Sequence, residues 1–225
     1  MKKDKKLNLL SQLKEFATSE ISDALDSLGI NAVLSQLNPL NEDIKIAGPA
    51  YTVEYRAYDE KPADFKPAGN YIDSVPENAV IVIDCKGRED CSVWGDILSE
   101  VAIHKGIAGS VIFGAIRDSA SIKKLNYPIF YKAITMCSGK NRVYKKNEQI
   151  PLSIGHVQVQ PGDIIFADND GVLAIPKALL EEIIKRATNI KMTENKIKKA
   201  VLKGLSLEDA RALYHYHMPW VNNEK

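Results

Sequence analysis

A mixed α/β domain is the fold class this sequence predicts, on three observations. Short apolar or alternating runs are interleaved with amphipathic ones in a β-β-α order, which places helices outside the sheets. No internal repeat, low-complexity segment or linker interrupts that order. Hydrophobic residues make up 45% of the 225, enough for a substantial core. We therefore expect a single domain over 1–225, with N-terminal helices at 7–28, a core at 44–176 and C-terminal helices at 177–214.

Taken in order, residues 7–28 place Leu9, Leu10, Leu13, Phe16, Ile21, Leu25 and Leu28 at helical spacing. The polar stretch from Thr18 to Asp23 divides this run into two short helices, with Ser19 and Asp23 as candidate caps and Gly29 as the stop. Residues 44–58 are β-rich, and Gly48-Pro49 is expected to split or bulge the strand. Tyr51, Val53 and Tyr55 alternate with Thr52, Glu54 and Arg56, which predicts one buried face. A polar loop is expected at 59–69, a helical turn at 71–75, and a buried strand at 79–84 after the turn Pro76-Glu77-Asn78. Then come a charged loop (85–93), a helix (97–105) ended by Gly106, a strand (110–113), a helix (119–125) capped by Asp118 or Ser119, and a strand (127–131).

Residues 136–149 read as a basic polar loop, solvated or binding an anion. Strands are expected at 154–160, 164–167 and 172–175. The last two are joined through Asp168-Asn169-Asp170-Gly171, a type I′ hairpin turn rather than a calcium loop, since the late Glu of an EF-hand is missing. A helix should run from Pro176 to about 202, with a break near Asn189, and a capped helix should fill 206–214. His215 and His217 lie near the C-terminal end without further ligands in sequence, so a metal pair is not read there.

Composition excludes several function classes. Lys and Arg number 30 against 29 Asp and Glu, without the basic excess of a nucleic-acid binder. No apolar run approaches the ~20 residues a membrane span needs. The N-terminal MKKDKKLNLL lacks the apolar stretch of a signal peptide, so we expect a cytoplasmic protein. The three cysteines, Cys85, Cys91 and Cys137, form no CxxC pair, which fits a reducing compartment. P-loop, GxGxxG, GxSxG and HExxH motifs are all lacking.

The stretch with chemistry to offer is WGDILSEVAIHKGIAGSVIFGAIRD, 94–118. It reads as loop, helix, strand, loop. A helix followed by a returning strand brings its two ends to one edge of the sheet, so Asp96, Arg117 and Asp118 should meet. Two carboxylates and a guanidinium there suit a small anion and a metal ion. The structural alternative is a helix capped by Asp96 beside a surface Arg–Asp pair, and the residues alone leave both open.

That stretch, together with PGDIIFADNDGVLAIP (161–176) and AGPAYTVEY (47–55), resembles the RraA-like proteins over roughly 22–204. The family includes class II pyruvate aldolases acting on 4-hydroxy-4-methyl-2-oxoglutarate and 4-carboxy-4-hydroxy-2-oxoadipate. It also includes regulators of ribonuclease activity, which act by protein binding without catalysis. The aldolase pattern is Asp, twenty residues, then Arg-Asp; here Asp96 is followed by 97–116 and then Arg117-Asp118. The regulators carry Glu at the first place, so Asp96 points to the enzyme.

The resemblance implies a swivelling β/β/α fold assembled as a homotrimer or homohexamer. It implies metal-dependent retro-aldol cleavage of a 4-hydroxy-2-oxo acid to pyruvate, with oxaloacetate decarboxylation as a side activity through the same enolate. The ion would be Mg²⁺ or Mn²⁺, with Asp118 its direct protein ligand. Arg117 would hold the 2-oxo oxygen and the developing enolate. Gly95, Asp96, Ile97 and Leu98, at a helix N-terminus, would take the substrate carboxylate. Asp96 would act as, or position, the base that receives the C4 hydroxyl proton. Glu194 would reach a neighbouring subunit's site. The loops 59–70 and 139–149 are expected to frame the pocket mouth.

Overall fold

The computed structural model describes residues 2–59 and 69–220. The chain divides into two units: Met1–Asn31 with Ala178–Lys225, and Ala32–Lys177. The expected loop at 59–70 falls largely on 60–68, outside the described residues.

The first unit is helical. It holds α1 (Lys2–Leu13), α2 (Thr18–Asp26), α5 (Leu180–Leu202) and α6 (Leu207–Leu213). Ile21, Ala24 and Leu25 of α2 and Ile183, Ala187 and Ile190 of α5 are buried at helical spacing, the apolar stripe that packs one helix on the other. The α2 cap differs from expectation. Neither Ser19 nor Asp23 serves; Ala17 N–H donates to Glu20 Oε2 at 2.8 Å, half of a capping box. The break expected near Asn189 does not occur either. α5 runs unbroken for 23 residues, because Asn189 keeps helical geometry and its apolar neighbours stay in phase. Ser206 caps α6, accepting from Asp209 N–H at 3.0 Å.

The second unit is built on one long strand, β3 (Ile46–Ala57). Pro49 does not break it. Gly48 is required by close approach, since a Cβ there would overlap the Asn78 carbonyl oxygen. β3 changes partners along its length. Ile46 to Pro49 pair antiparallel with β11 (Ile164–Asp168); Ala50 to Glu54 pair parallel with β4 (Val80–Asp84); Val53 to Ala57 pair antiparallel with β8 (Val143–Glu148). The irregularity falls at Glu54/Tyr55, where the β8 register shifts. The residues expected as a basic loop (139–149) therefore contain a strand.

Parallel pairing continues from β4 to β6 (Gly109–Ile116) and β7 (Ile129–Ile134). The connections run through α3 (Asp96–His104) and α4 (Ser119–Leu125). β5 (Ser92–Trp94), not anticipated, adds beside the end of β6. β2 (Asn38–Pro39) flanks β7, and β1 (Val33–Leu34) flanks β12 (Gly171–Ile175), which pairs with β11. The expected strand at 154–160 is a hairpin, β9 (Leu152–Ile154) and β10 (Val157–Val159), turning at Gly155 with φ +59°. The β11–β12 turn is not type I′. Neither Asn169 nor Asp170 takes a positive φ, and Asp168 Oδ1 accepts from Asp170 N–H at 3.0 Å.

Both faces of the parallel sheet are covered, which is why VIVID at 80–84 is apolar without alternation. Ile81, Ile83, Ile112 and Ile129 face a core shared with Ala102 and Ile122 of the helices. Val80, Val82, Val111 and Phe130 face Leu152, Val157, Ile165 and Val172 of the antiparallel strands. The result is a β/β/α layering. It corrects the one-sided reading of 51–56, since Thr52 and Glu54 are buried as well.

Candidate active site

The two ends of the 94–118 stretch meet because β5 runs beside β6. Trp94 is the register partner of Ile116, and Arg117 N–H donates to Trp94 O at 3.0 Å. Trp94 fixes the start of α3. Its indole N–H donates to Ser99 Oγ at 2.8 Å, that hydroxyl donates to Gly95 O at 3.0 Å, and the ring stacks on Tyr127 at 5.9 Å.

Around Gly95 the expected site residues come together. A Cβ on Gly95 would lie 2.7 Å from Asp118 Oδ2 and 3.3 Å from Arg117 Nε. Arg117 Nε and Asp118 Oδ2 are 3.2 Å apart, both side chains partly exposed. Asp96 N–H donates to the same Oδ2 at 3.4 Å, a long bond. Asp96 Oδ1 accepts from Ile97 N–H at 2.8 Å. Asp118 holds φ +56° and ψ +33°, a left-handed conformation that costs a non-glycine residue energy and that Asp tolerates better than most. Its carboxylate makes no capping bond to α4, contrary to the expected cap; the Asp118 carbonyl instead accepts from Ser121 and Ile122 N–H at 3.0 Å. The carboxylate is thus turned toward Gly95 and Arg117.

Gly95, Asp96, Ile97, Leu98 and Arg117 line one end of a cavity of about 590 Å³, and Asp118 stands behind Gly95 and Arg117 rather than in its wall. That volume suits a small ligand with room to spare. Tyr55, Ile72, Val101 and Val143 give it apolar walls. Asn70, Asp73, Ser92, Ser138, Gly139 and Lys140 complete it. The basic segment does border the pocket through Ser138, Gly139 and Lys140, whereas β8 carries most of its remaining charges. Loop position was the signal for these residues. Tyr55 gave none, since it reads as ordinary strand.

The donors on offer at the Gly95 end are carboxylate oxygens. No three His, Cys, Asp or Glu side chains gather into a metal cluster among the described residues. His215 and His217 have ring centroids 6.2 Å apart, without a third ligand among the described residues. Glu194 lies on α5 in the helical unit, its carboxylate 3.4 Å from Lys198 Nζ. It also acts on Asp23, whose carboxyl pKa is raised first by burial and then by Glu194 and Asp26.

A second charged group, with no motif in the sequence to mark it, lies at the ends of β3 and β4. Glu54 and Asp84 are register partners, so they share a sheet face, and both are buried. Arg56 pairs with Glu54, Asn147 Nδ2 donates to Glu54 Oε2 at 2.6 Å, and Lys86 Nζ lies 2.7 Å from Asp84 Oδ2. The charges balance, so the cluster fastens β8 to β3 and β4.

Comparison with known proteins follows the same lines. The family model described as "RraA-like: Aldolase/RraA" matches residues 18–174. The chain is 51% identical to protein DlpA of Legionella pneumophila over 218 residues, 97% of this chain, but it spans only 35% of DlpA's length. It is 37% identical over 181 residues to a protein of Halalkalibacterium halodurans provisionally named 4-hydroxy-4-methyl-2-oxoglutarate aldolase, covering 80% of this chain and 82% of that one. Among solved structures, an uncharacterized protein from Pseudomonas syringae pv. tomato superposes with a TM-score of 0.86 at 38% identity, covering 92% of this chain and 94% of that one. Streptomyces coelicolor RraAS2, described as an unusual member of the RNase ES inhibitor RraA protein family, superposes with a TM-score of 0.76 at 27% identity, covering 84% and 94%.

Proposed function

The chain belongs to the RraA-like family, and from that footing we propose that it is a carbon–carbon lyase cleaving a 4-hydroxy-2-oxo acid to pyruvate and a second oxo compound. The observation that carries this reading is the meeting of the Arg117 and Asp118 side chains at Gly95, beside Asp96, where Gly95, Asp96 and Arg117 line one end of a ligand-sized cavity. The aldolase name of the Halalkalibacterium relative supports it.

In the reaction the C4 hydroxyl loses its proton and becomes a carbonyl as the C3–C4 bond breaks. The bonding pair passes to C3 and the C2 oxygen as an enolate, which then takes a proton at C3 to give pyruvate. Arg117 is placed to donate to the C2 oxygen as negative charge grows there, a contribution of about 3 kcal/mol for a fixed donor. The first-turn amides of α3, which have no intrahelical acceptors, suit the C1 carboxylate. The Ile97 amide is held by Asp96's own carboxylate in this structure. Substrate binding there would free that carboxylate to receive the C4 proton, directly or through water. One motion of Asp96 thus links binding to base catalysis.

A divalent ion fits the donor set. Asp118 offers one carboxylate, with the Asp96 backbone amide 3.4 Å from it, and Mg²⁺ or Mn²⁺ accepts few protein oxygens and keeps several waters. When bound, the ion would supply positive charge beside the 2-oxo acid. Oxaloacetate decarboxylation needs the same enolate stabilisation and is proposed as a side activity. A homotrimer or hexamer is likewise proposed; the exposure of Ile134 and Met136 at and beyond the end of β7 supports a subunit contact there.

The likeness to RraAS2 supports one alternative, a regulator acting by protein binding. A panel separates the two. Pyruvate would be measured from 4-hydroxy-4-methyl-2-oxoglutarate, 4-carboxy-4-hydroxy-2-oxoadipate and oxaloacetate, with Mg²⁺ and with EDTA. Metal-dependent release from a hydroxy acid supports the lyase. Silence on all three with folded protein sinks it.

A further inference from the structure

The helical unit holds a cavity of its own, of about 550 Å³, where the end of α5 turns into α6. Three of the described residues that line it are cations, Lys196, Lys199 and Lys203, and none is an acid. Leu205, Leu213 and Tyr214 supply apolar surface beside them. The size suits a small ligand. It shares no lining residue with the cavity at Gly95.

The spacing of the three lysines puts them on one stripe of α5. They fall within about 60° around the helix axis and about 4.5 and 6 Å apart along it. Like charges so placed repel one another. Elsewhere α5 offsets its cations: Arg186 pairs with Glu182 at 2.7 Å and Lys198 with Glu194 at 3.4 Å. Among the described residues, none of the three cleft ammonium groups makes a hydrogen bond or an ion pair.

The ordinary use of lysine at a helix end does not account for them. A lysine there can bond the last carbonyls, but in α5 the backbone has taken that role. Gly204 N–H donates to Val201 O at 2.9 Å and Leu205 N–H to Ala200 O at 3.2 Å, with Gly204 at φ +97°, which is a Schellman turn. The helix dipole favours Lys199 and Lys203, yet its effect fades within the last turn. Lys196 stands more than a turn before Leu202, where α5 ends. Three cations therefore face a cleft with a fixed turn at its edge and no anion to meet.

We infer that this cleft is a binding site for a linear oligophosphate, standing free or carried by a nucleoside. An oligophosphate sets several negative charges along one chain, so it can meet three ammonium groups arrayed along one helix; a single carboxylate cannot. Lysine heads on flexible stems converge on such a chain without a fixed geometry. Tyr214 gives a base a ring to stack on if a nucleoside is the carrier. The inference does not depend on the lyase reading.

Calorimetry on the full chain, at low salt and in EDTA, tests it. Tripolyphosphate, ATP and AMP would be titrated into the wild type, Lys199→Gln, Lys198→Gln and the combined variant Lys196→Gln/Lys199→Gln/Lys203→Gln. Glutamine keeps helix propensity close to that of lysine, and circular dichroism controls for folding. Lys198 lies about 160° around the axis from the cleft stripe, so its replacement removes the same charge outside the site. The expected result is tripolyphosphate binding to the wild type, about thirtyfold weaker in the combined variant at about threefold for each solvent-screened pair. Lys198→Gln should bind as the wild type does, and AMP should bind far more weakly than ATP. ATP binding tighter than tripolyphosphate, with Tyr214→Ala removing the difference, identifies a nucleoside carrier; equal affinities identify the free oligophosphate. Absent binding to the wild type, an unchanged combined variant, or a loss in Lys198→Gln equal to that in Lys199→Gln would overturn the inference. So would loss of binding in Arg117→Ala, which would place the anion at the candidate active site instead.

Discussion

Gly95 illustrates how a residue without a side chain shapes a site. Its φ of −155° is extended and open to any residue, so freedom of rotation is not what it supplies. It supplies room: a Cβ would lie 2.7 Å from Asp118 Oδ2. Gly95→Ala should therefore leave the melting temperature nearly unchanged while displacing the Asp118 carboxylate and lowering turnover, which thermal unfolding and the pyruvate assay together would show. Asp118 is the opposite case, a residue with backbone strain. Asp118→Asn retains the side-chain size that tolerates the left-handed conformation and removes the charge. It should fold as the wild type does and lose metal-dependent turnover. Arg117→Ala should lower kcat by about a hundredfold to a thousandfold, the cost of losing one fixed donor in the transition state.

At the scale of elements, the legible parts were those whose apolar pattern reports their surroundings. The strand at 80–84 is apolar throughout because both its faces are buried, and α3 and β6 were readable from the switch between periods. That switch also gave the meeting of Asp96 with Arg117-Asp118. β8 was misread as a loop because its contacts to β3 are polar: Asn147 donates to Glu54 and Glu148 accepts from Tyr51, while Lys145 pairs with Glu148 within β8 itself. Polar pairing across a strand leaves no hydrophobic alternation to read. β5 is three residues long, too short for any period, yet it positions Trp94 and the pocket wall. The swap of partners along β3 is a tertiary event that no local pattern encodes. Ser206, by contrast, was legible as a cap from sequence, and Ser206→Ala should cost about 1 kcal/mol of stability, measurable by urea unfolding.

For the molecule as a whole, burial predicts reactivity and pH response. Cys85 and Cys91 are buried and Cys137 is exposed. Burial, then neighbouring Cys91, pushes the Cys85 thiol up to about 12. Under native conditions one thiol should react quickly with an aromatic disulfide reagent and the other two only after denaturation. Asp23 gives a pH signature. Its carboxyl is raised above the ordinary 3.8, first by burial and then by Glu194 and Asp26. The folded state thus holds this proton more tightly than the unfolded chain does. The stabilisation is complete below the unfolded pKa and is lost as pH rises through the folded one. Asp23→Asn should consequently raise the melting temperature at pH 7 and leave it unchanged near pH 3. No helix among the described residues is long and apolar enough to cross a membrane.

The most direct test of the central claim is the rate of pyruvate release from 4-hydroxy-4-methyl-2-oxoglutarate by wild type and Asp118→Asn, each with Mg²⁺ and with excess EDTA. Release by the wild type with Mg²⁺, its loss in EDTA, and none above background from Asp118→Asn in either condition are the expected results. Equal release by the two proteins, or release by the wild type that EDTA leaves untouched, would contradict that claim.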